Sequence, residues 1–381
     1  LRKTNEEVQE IMRLNNATEI YSWSKIQTYH NDPYSYLLRY ILKVPPDRGD
    51  NSYSYLGGIT HSLLEDFYDG KLTNQEMIEQ LREKVMINDM AGIKFSSNEE
   101  QNATIKNNYT SCIEHFLREY VQDNNAKLEQ YVYGYIGDYF FGGYVDKMHI
   151  DNKILYIDDF KTSTIYRGQK IENDKGQLYI YAILMNQMYN IPYDQIKVRW
   201  NFLKYVKVTY SQVNGKETVT YIERNELGEK LTAKIKTWLK KYKYSDEEIE
   251  KYINEVIASN TINGLDKGCI KCLPQEVQDK FVIEDGLLEV PMNEESIEEF
   301  INNFTELCAQ VVEKTNLYNN TKDEKIFWSE ITEKNSYYYS NLCSYSANHH
   351  KPLKEYYDNL EQMKTETTLD GNDELMKILF S

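Results

Sequence analysis

Three charged side chains sit inside a stretch that otherwise reads as a buried strand: Asp158, Asp159 and Lys161 in "LYIDDFKTSTIY". On a strand, residues i and i+2 point to the same face, so Asp159 and Lys161 share one face and Asp158 takes the other. A carboxylate there can bind a divalent cation. A neighbouring ammonium can orient or help deprotonate a water and offset negative charge as it develops. Alone, an Asp-x-Lys tripeptide is more often a strand-end ion pair. The preceding segment, "GGYVDKMHI", adds Asp146. A hairpin turn at Asp151-Asn152 brings Asp146 towards Asp159 across the ladder. Two converging carboxylates repel unless a hard cation such as Mg2+ or Mn2+ lies between them. The plainer alternative pairs Asp146 with Lys147 or Lys161 at the sheet edge.

Two further pairs have helical spacing. In "GGITHSLLEDF", His61 and Glu65 stack four residues apart on one face, behind a glycine pair that permits close backbone approach. In "GQLYIYAIL", Gln177 and Tyr181 are also four apart, able to hydrogen-bond phosphate oxygens or a base edge. Each pair is common in structural helices.

These residues need a scaffold, and the periodicity describes one. Helical patterns cover the N-terminal third, with Ser22 or Ser24, and Ser97 or Asn98, as natural caps. "YSYLGGITHSLLEDFYDG" reads as a helix from near Gly57 to Gly70. Three aromatic and β-branched strands follow, with turns at Gly137-Asp138 and Asp151-Asn152, as an antiparallel meander. A helix, two more strands around Asn214-Gly215 and a mainly helical remainder complete the chain. This order predicts an α/β core, a mixed central sheet flanked by helices with helical additions at both ends. The expected divisions are a helical region over 1–125, a core over 126–226 and a helical extension over 227–381.

Composition sets the outer bounds. The 381 residues are 41% hydrophobic and 27% charged, with a net charge of −16, an ordinary globular balance. Five cysteines fit no disulfide framework. The acidic total argues against non-specific coating of nucleic acid, but residues 195–243 carry 12 Lys/Arg against 4 Glu, and a segregated basic stretch can bind a polyanion. Its "KVRWNFLKYVK" and "KIKTWLKKYKY" read equally as a nucleic-acid groove and as solvated faces. No apolar run reaches membrane-spanning length, and "LRKTNEEVQE" has no apolar signal-peptide core. The expected location is the cytoplasm of a bacterial or phage-infected cell.

Taken in order, "GGITHSLLE", "GGYVD", "IDDFKTS" and "GQLYIY" resemble the motifs of the RecB-like branch of the PD-(D/E)XK nucleases, whose opening helix "YSWSKIQTYHNDPYSYLLRYIL" is also similar to. The resemblance runs from about Tyr21 to Tyr205 and implies a restriction-endonuclease-like core. It implies that Asp146 and Asp159 hold the catalytic Mg2+ or Mn2+, with His61 and the backbone carbonyl of Phe160 as further ligands. Lys161 then positions the attacking water, Gln177 and Tyr181 contact nucleic acid near the scissile phosphate, and Glu65 supports the metal or its water.

The chain departs from that branch at its iron–sulfur cluster, which four cysteines hold in many such nucleases. Asp32 precedes Pro33 where the first cysteine belongs. Near the C-terminus only Cys343 remains, with Ser340, His349 and His350 near the other positions. A cluster needs four thiolates, so none is expected. Cys269 and Cys272 make half a zinc knuckle and read as an ordinary turn. The expected activity is metal-dependent hydrolysis of DNA, by an exonuclease acting on single-stranded or duplex ends in recombination, repair or phage DNA processing. The alternatives are a structure-specific or RNA-cutting endonuclease and a non-catalytic nucleic-acid-binding or assembly subunit. No Walker A motif is present, so a helicase or recombination partner is a separate chain.

Overall fold

The computed structural model describes residues 2–46, 51–96, 98–328, 330–333, 335–341 and 343–345. Ser97, His349 and His350 lie outside them. In chain order the helices before the sheet are α1 (Asn5–Leu14), α2 (Trp23–Asn31), α3 (Pro33–Tyr36), α4 (Ser52–Tyr68), α5 (Asn74–Met90) and α6 (Glu99–Glu119). Then come β1 (Lys127–Ile136), β2 (Tyr139–Asp151), β3 (Ile154–Lys161), α7 (Gln169–Asp174), α8 (Gly176–Tyr189), β4 (Ile196–Ser211) and β5 (Glu217–Glu223). The chain continues through α9 (Leu227–Lys241), α10 (Asp246–Thr261), α11 (Gln275–Gln278), β6 (Phe281–Val290), α12 (Glu294–Thr321) and α13 (Ser336–Asn341).

The six strands form one mixed sheet in the order β1-β2-β3-β4-β5, with β6 also paired to β4. β2 and β3 are antiparallel, joined by Asn152 and Lys153, both at positive φ (48° and 67°). That is the two-residue, left-handed turn matching strand twist; it lies one residue later than the sequence suggests. β3 and β4 are parallel, which demands a crossover, and α8 supplies it. β4 is long enough to pair with β3 through Phe202 and with β5 from Tyr205 onward. β6 lies along it antiparallel, with a register shift between Asn201 and Val206.

The chain divides into two compact units. The first comprises residues 1–16, 51–134 and 142–298; the second comprises 17–50, 135–141 and 299–381. In the first unit, Leu56, Leu63 and Leu64 of α4 pack with Met77, Ile78 and Leu81 of α5 and Ile113, Phe116 and Leu117 of α6, over Phe160 and Leu203 of the sheet. α8 is apolar all round and buried from Leu178 to Met185, as a helix enclosed on all sides requires. A second core joins β4, β5 and β6 to α9 and α10 around Val206, Val208, Leu231, Ile235 and Ile253.

α4 begins at Ser52, where Asn51 caps it by accepting the Ser54 N–H at 3.0 Å, not near Gly57. Gly57 is a packing residue: a Cβ there would lie 3.1 Å from Thr162 Oγ1, just past β3. Asn98 caps α6, accepting from Gln101 N at 2.9 Å.

In the second unit, Ser22 caps α2 and Asp32 caps α3. Asp32 is fully buried and accepts from the Ser35 hydroxyl and from Cys343 Sγ at 3.4 Å. Among the described residues, no helix is long and apolar enough to cross a membrane.

Candidate active site

Lys147 lies opposite Asp158 in the β2–β3 ladder. One step further along that register sets Asp146 opposite Asp159. The two aspartates of "IDDF" then have different fates. Asp158 accepts a two-pronged bond from Arg199 of β4, Nε at 2.6 Å and Nη2 at 2.9 Å, while that guanidinium lies 4.4 Å from the centre of the Tyr156 ring. This planar fork is the strong form of the pair. Asp159 is equally buried but faces the other way, with Lys161 Nζ 2.5 Å from its Oδ2.

Lys161 also donates to Gln177 Oε1 at 3.3 Å, and Gln177 Nε2 donates to the Tyr181 hydroxyl at 3.0 Å. The first turns of α8 therefore continue the line Asp159–Lys161–Gln177–Tyr181. Gly143 of β2 makes room for the last of these: a Cβ there would sit 3.2 Å from Tyr181 Cε1.

The face of α4 that carries Gly57, His61 and Glu65 is turned to the same end of β3. His61 Nδ1 is 3.6 Å from Asp146 Oδ1, and its ring meets Phe160 edge-on at 5.9 Å. The Phe160 N–H donates to Asp146 Oδ2 at 2.6 Å, holding that carboxylate in place. Glu65 sits further out, 3.6 Å from Arg2 Nη2.

The electrostatics are those of a site short of positive charge. Burial pushes the Asp159 carboxyl up, and Asp146 adds to the rise against the pull of Lys161. Burial alone lowers Lys161, but the Asp159 carboxylate outweighs it and raises the ammonium's pKa. His61 is likewise lowered by burial and raised, on balance, by Asp146 and Asp159.

A model of the PD-(D/E)XK nuclease superfamily matches residues 21–277. The chain belongs to that superfamily. No curated protein matches it. Nucleases of the superfamily act on nucleic acid and use divalent metals, and the donor chemistry present fits such an ion. Among the described residues, ligand atoms of His61, Asp146 and Glu129 all lie within 4.8 Å of one another. An imidazole with carboxylates is a donor set for a divalent first-row or alkaline-earth cation.

Glu129 is the one member of that group that strand periodicity does not single out. It lies in β1 at φ 47°, a left-handed backbone that costs a non-glycine residue about 1–3 kcal/mol. Its side chain is 8% exposed, and Arg2 Nη2 lies 3.1 Å from Oε2. Burial and then the neighbouring Asp146 and Glu65 push its carboxyl up. Cys269 and Cys272 form a tight turn in which Cys272 Sγ points to Cys269 O at 3.6 Å, and no third metal-ligating side chain joins them among the described residues. In the basic stretch, Lys197, Arg199, Lys207 and Arg224 are engaged in ion pairs with Glu289, Asp158, Glu284 and Asp266. Of these, Arg199 and Arg224 are drawn into the fold, and Lys197 and Lys207 pair at its surface.

Proposed function

We propose that this superfamily member is a divalent-metal-dependent deoxyribonuclease that works as an exonuclease on DNA ends, single-stranded or duplex, in recombination, repair or phage DNA processing. The observation that carries the hydrolytic reading is the convergence of His61 and Asp146 beside a buried Asp159 paired with the partly buried Lys161. His61, Asp146 and Asp159, with the Phe160 carbonyl, would hold the cation, Mg2+ or Mn2+. When bound, such a cation lowers the pKa of a coordinated water and polarises the phosphodiester.

The chain's own residues do the rest. The Phe160 N–H fixes the rotamer of Asp146. Lys161, held between Asp159 and Gln177, would orient the attacking water and offset the negative charge that develops on the phosphoryl oxygens. Gln177 and Tyr181 hydrogen-bond the phosphate next to the cut, and Glu65 supports the site from its rim.

The test compares wild type with Asp159→Ala and Lys161→Ala on end-labelled linear DNA, circular DNA and RNA, with Mg2+, Mn2+ or chelator. The expected result is metal-dependent loss of linear DNA, abolished in both variants. Cleavage that survives both substitutions sinks the site assignment. Cutting of circles replaces the exonuclease reading with an endonuclease, and cutting of RNA alone replaces the substrate. A wild-type protein that binds DNA and cuts nothing identifies a non-catalytic subunit.

A further inference from the structure

Among the described residues, the donors that lie within 4.8 Å of one another are His61, Asp146 and Glu129; the first two belong to the expected set, and the third does not. Glu129 reaches His61 and Asp146 through a left-handed backbone position near the start of β1. A strand residue in the ordinary β region points its side chain by alternation alone; at φ 47° that rule is broken and the side chain is re-aimed. The carboxylate so delivered is more than nine-tenths buried, and its Oε2 accepts no hydrogen bond. Arg2, itself 61% exposed, supplies only an ion pair. A buried carboxylate oxygen with so little around it is incomplete as a structural element.

We infer that Glu129 is a direct ligand of the catalytic cation, forming with His61 and Asp146 a donor set that favours Mn2+ over Mg2+. This rests on the metal-dependent reading above. Each further protein carboxylate on the ion displaces a water. With Asp159 from that reading, Glu129 is the third carboxylate; Mg2+ gives up water reluctantly and is usually held by one or two, whereas Mn2+ accepts imidazole and carboxylate together more readily. Arg2 is then the competing cation: its guanidinium neutralises Glu129 and Glu65 and gives way when the metal binds.

The experiment titrates the full chain, without DNA, with Mn2+ alone, following loss of the free Mn2+ electron paramagnetic resonance signal, and repeats the titration with Mg2+ as competitor. Glu129→Gln is expected to bind Mn2+ at least about tenfold more weakly and to narrow the Mn2+/Mg2+ gap. Arg2→Ala is expected to shift affinity the opposite way. Glu129→Asp separates ligation from a general field: it keeps the charge, suits a left-handed backbone, and withdraws the carboxylate by about 1.5 Å. A ligand loses affinity in that variant, while a remote charge does not. Asp146→Asn is run alongside. If Asp146→Asn loses Mn2+ and both Glu129 variants bind as wild type, Glu129 is no ligand and the nuclease reading stands. If Asp146→Asn also binds as wild type, or wild type binds no Mn2+, both fall. Circular dichroism of each variant shows that folding is intact, and the Asp variant carries the test should the Gln variant not fold.

Discussion

Arg224 and Asp159 are both fully buried charges in the first unit, and their surroundings differ in kind. Each nitrogen of Arg224 meets an acceptor: Nε bonds Leu203 O at 2.7 Å, Nη1 bonds Asp266 Oδ2 at 2.7 Å, and Nη2 bonds Asp285 Oδ1 at 3.0 Å. Asp266 also meets His115 Nδ1 at 2.8 Å, and Asp285 meets Lys267 at 2.9 Å. Glu119 accepts the N–H groups of Asp266, Lys267 and Gly268 at 2.8, 2.9 and 3.2 Å. At the other site, Asp159 Oδ2 and Glu129 Oε2 are buried outside hydrogen-bonding geometry, each beside one cationic side chain and neighbouring carboxylates. The titration directions agree. Burial pushes Asp285 up, but Arg224 and Lys267 outweigh it and leave the carboxyl depressed, whereas burial prevails at Asp159 and raises it. A completed network locks the fold, and on the proposed reading the incomplete one is kept for a ligand.

The largest effect that separates the two is on cleavage. Asp159→Asn is expected to slow hydrolysis on the order of 10³-fold while unfolding free energy stays within about 1 kcal/mol of wild type, because a neutral group replaces a charge that burial disfavours. Single-turnover cleavage with denaturant titration measures both. A large loss of stability instead would place Asp159 with the structural charges.

Arg224→Met is the mirror image. It leaves Asp266 and Asp285 without their shared cation, and removing one partner of a buried network costs about 3–5 kcal/mol. Urea titration reads the loss. Where the variant is still folded, its cleavage rate is expected to match wild type. Asp158→Asn repeats the contrast on the strand that carries the proposed catalytic pair. It strips half the fork from Arg199, whose side chain is 14% exposed, at a cost of about 1.5–3 kcal/mol. Cleavage loss exceeding that of Asp159→Asn would reverse the assignment of the two faces of β3.

How much of this was legible follows from the range of the interactions involved. Asp159 with Lys161 on one face, Asp158 on the other and Asp146 alongside are consequences of period-2 alternation plus one short turn. His61 with Glu65 and Gln177 with Tyr181 follow from helical spacing, and a mixed sheet flanked by helices, β1 to β5, follows from element order. Glu129 was not legible, because a single left-handed residue overrides alternation and nothing in "KLEQYVYGYI" announces it. Nor was β6, whose "FVIEDGLLEV" breaks its apolar pattern with Glu284, Asp285 and Gly286 at the register shift against β4. The Arg224 network joins residues 42, 61 and 151 positions apart in sequence. Such pairing is decided by packing, which no local pattern encodes.

The smallest separation is in acid. Asp285 is ionised in both folded and unfolded chains at neutral pH, and its folded pKa lies below its unfolded one because Arg224 and Lys267 favour the charged form. The stability this confers is fully present above the unfolded value of about 3.9 and is lost as pH falls through the folded value. Asp285→Asn lacks that proton uptake. Between about pH 5 and pH 3, its denaturation midpoint is therefore expected to fall less steeply than that of wild type, although other carboxylates titrate in both. Parallel curves would mean that the Arg224 pair with Asp266 alone sustains the network, with Asp285 held at its rim by Lys267. The contrast with the active site would then rest on the Arg224–Asp266–His115 core, where neither carboxylate oxygen lacks a partner.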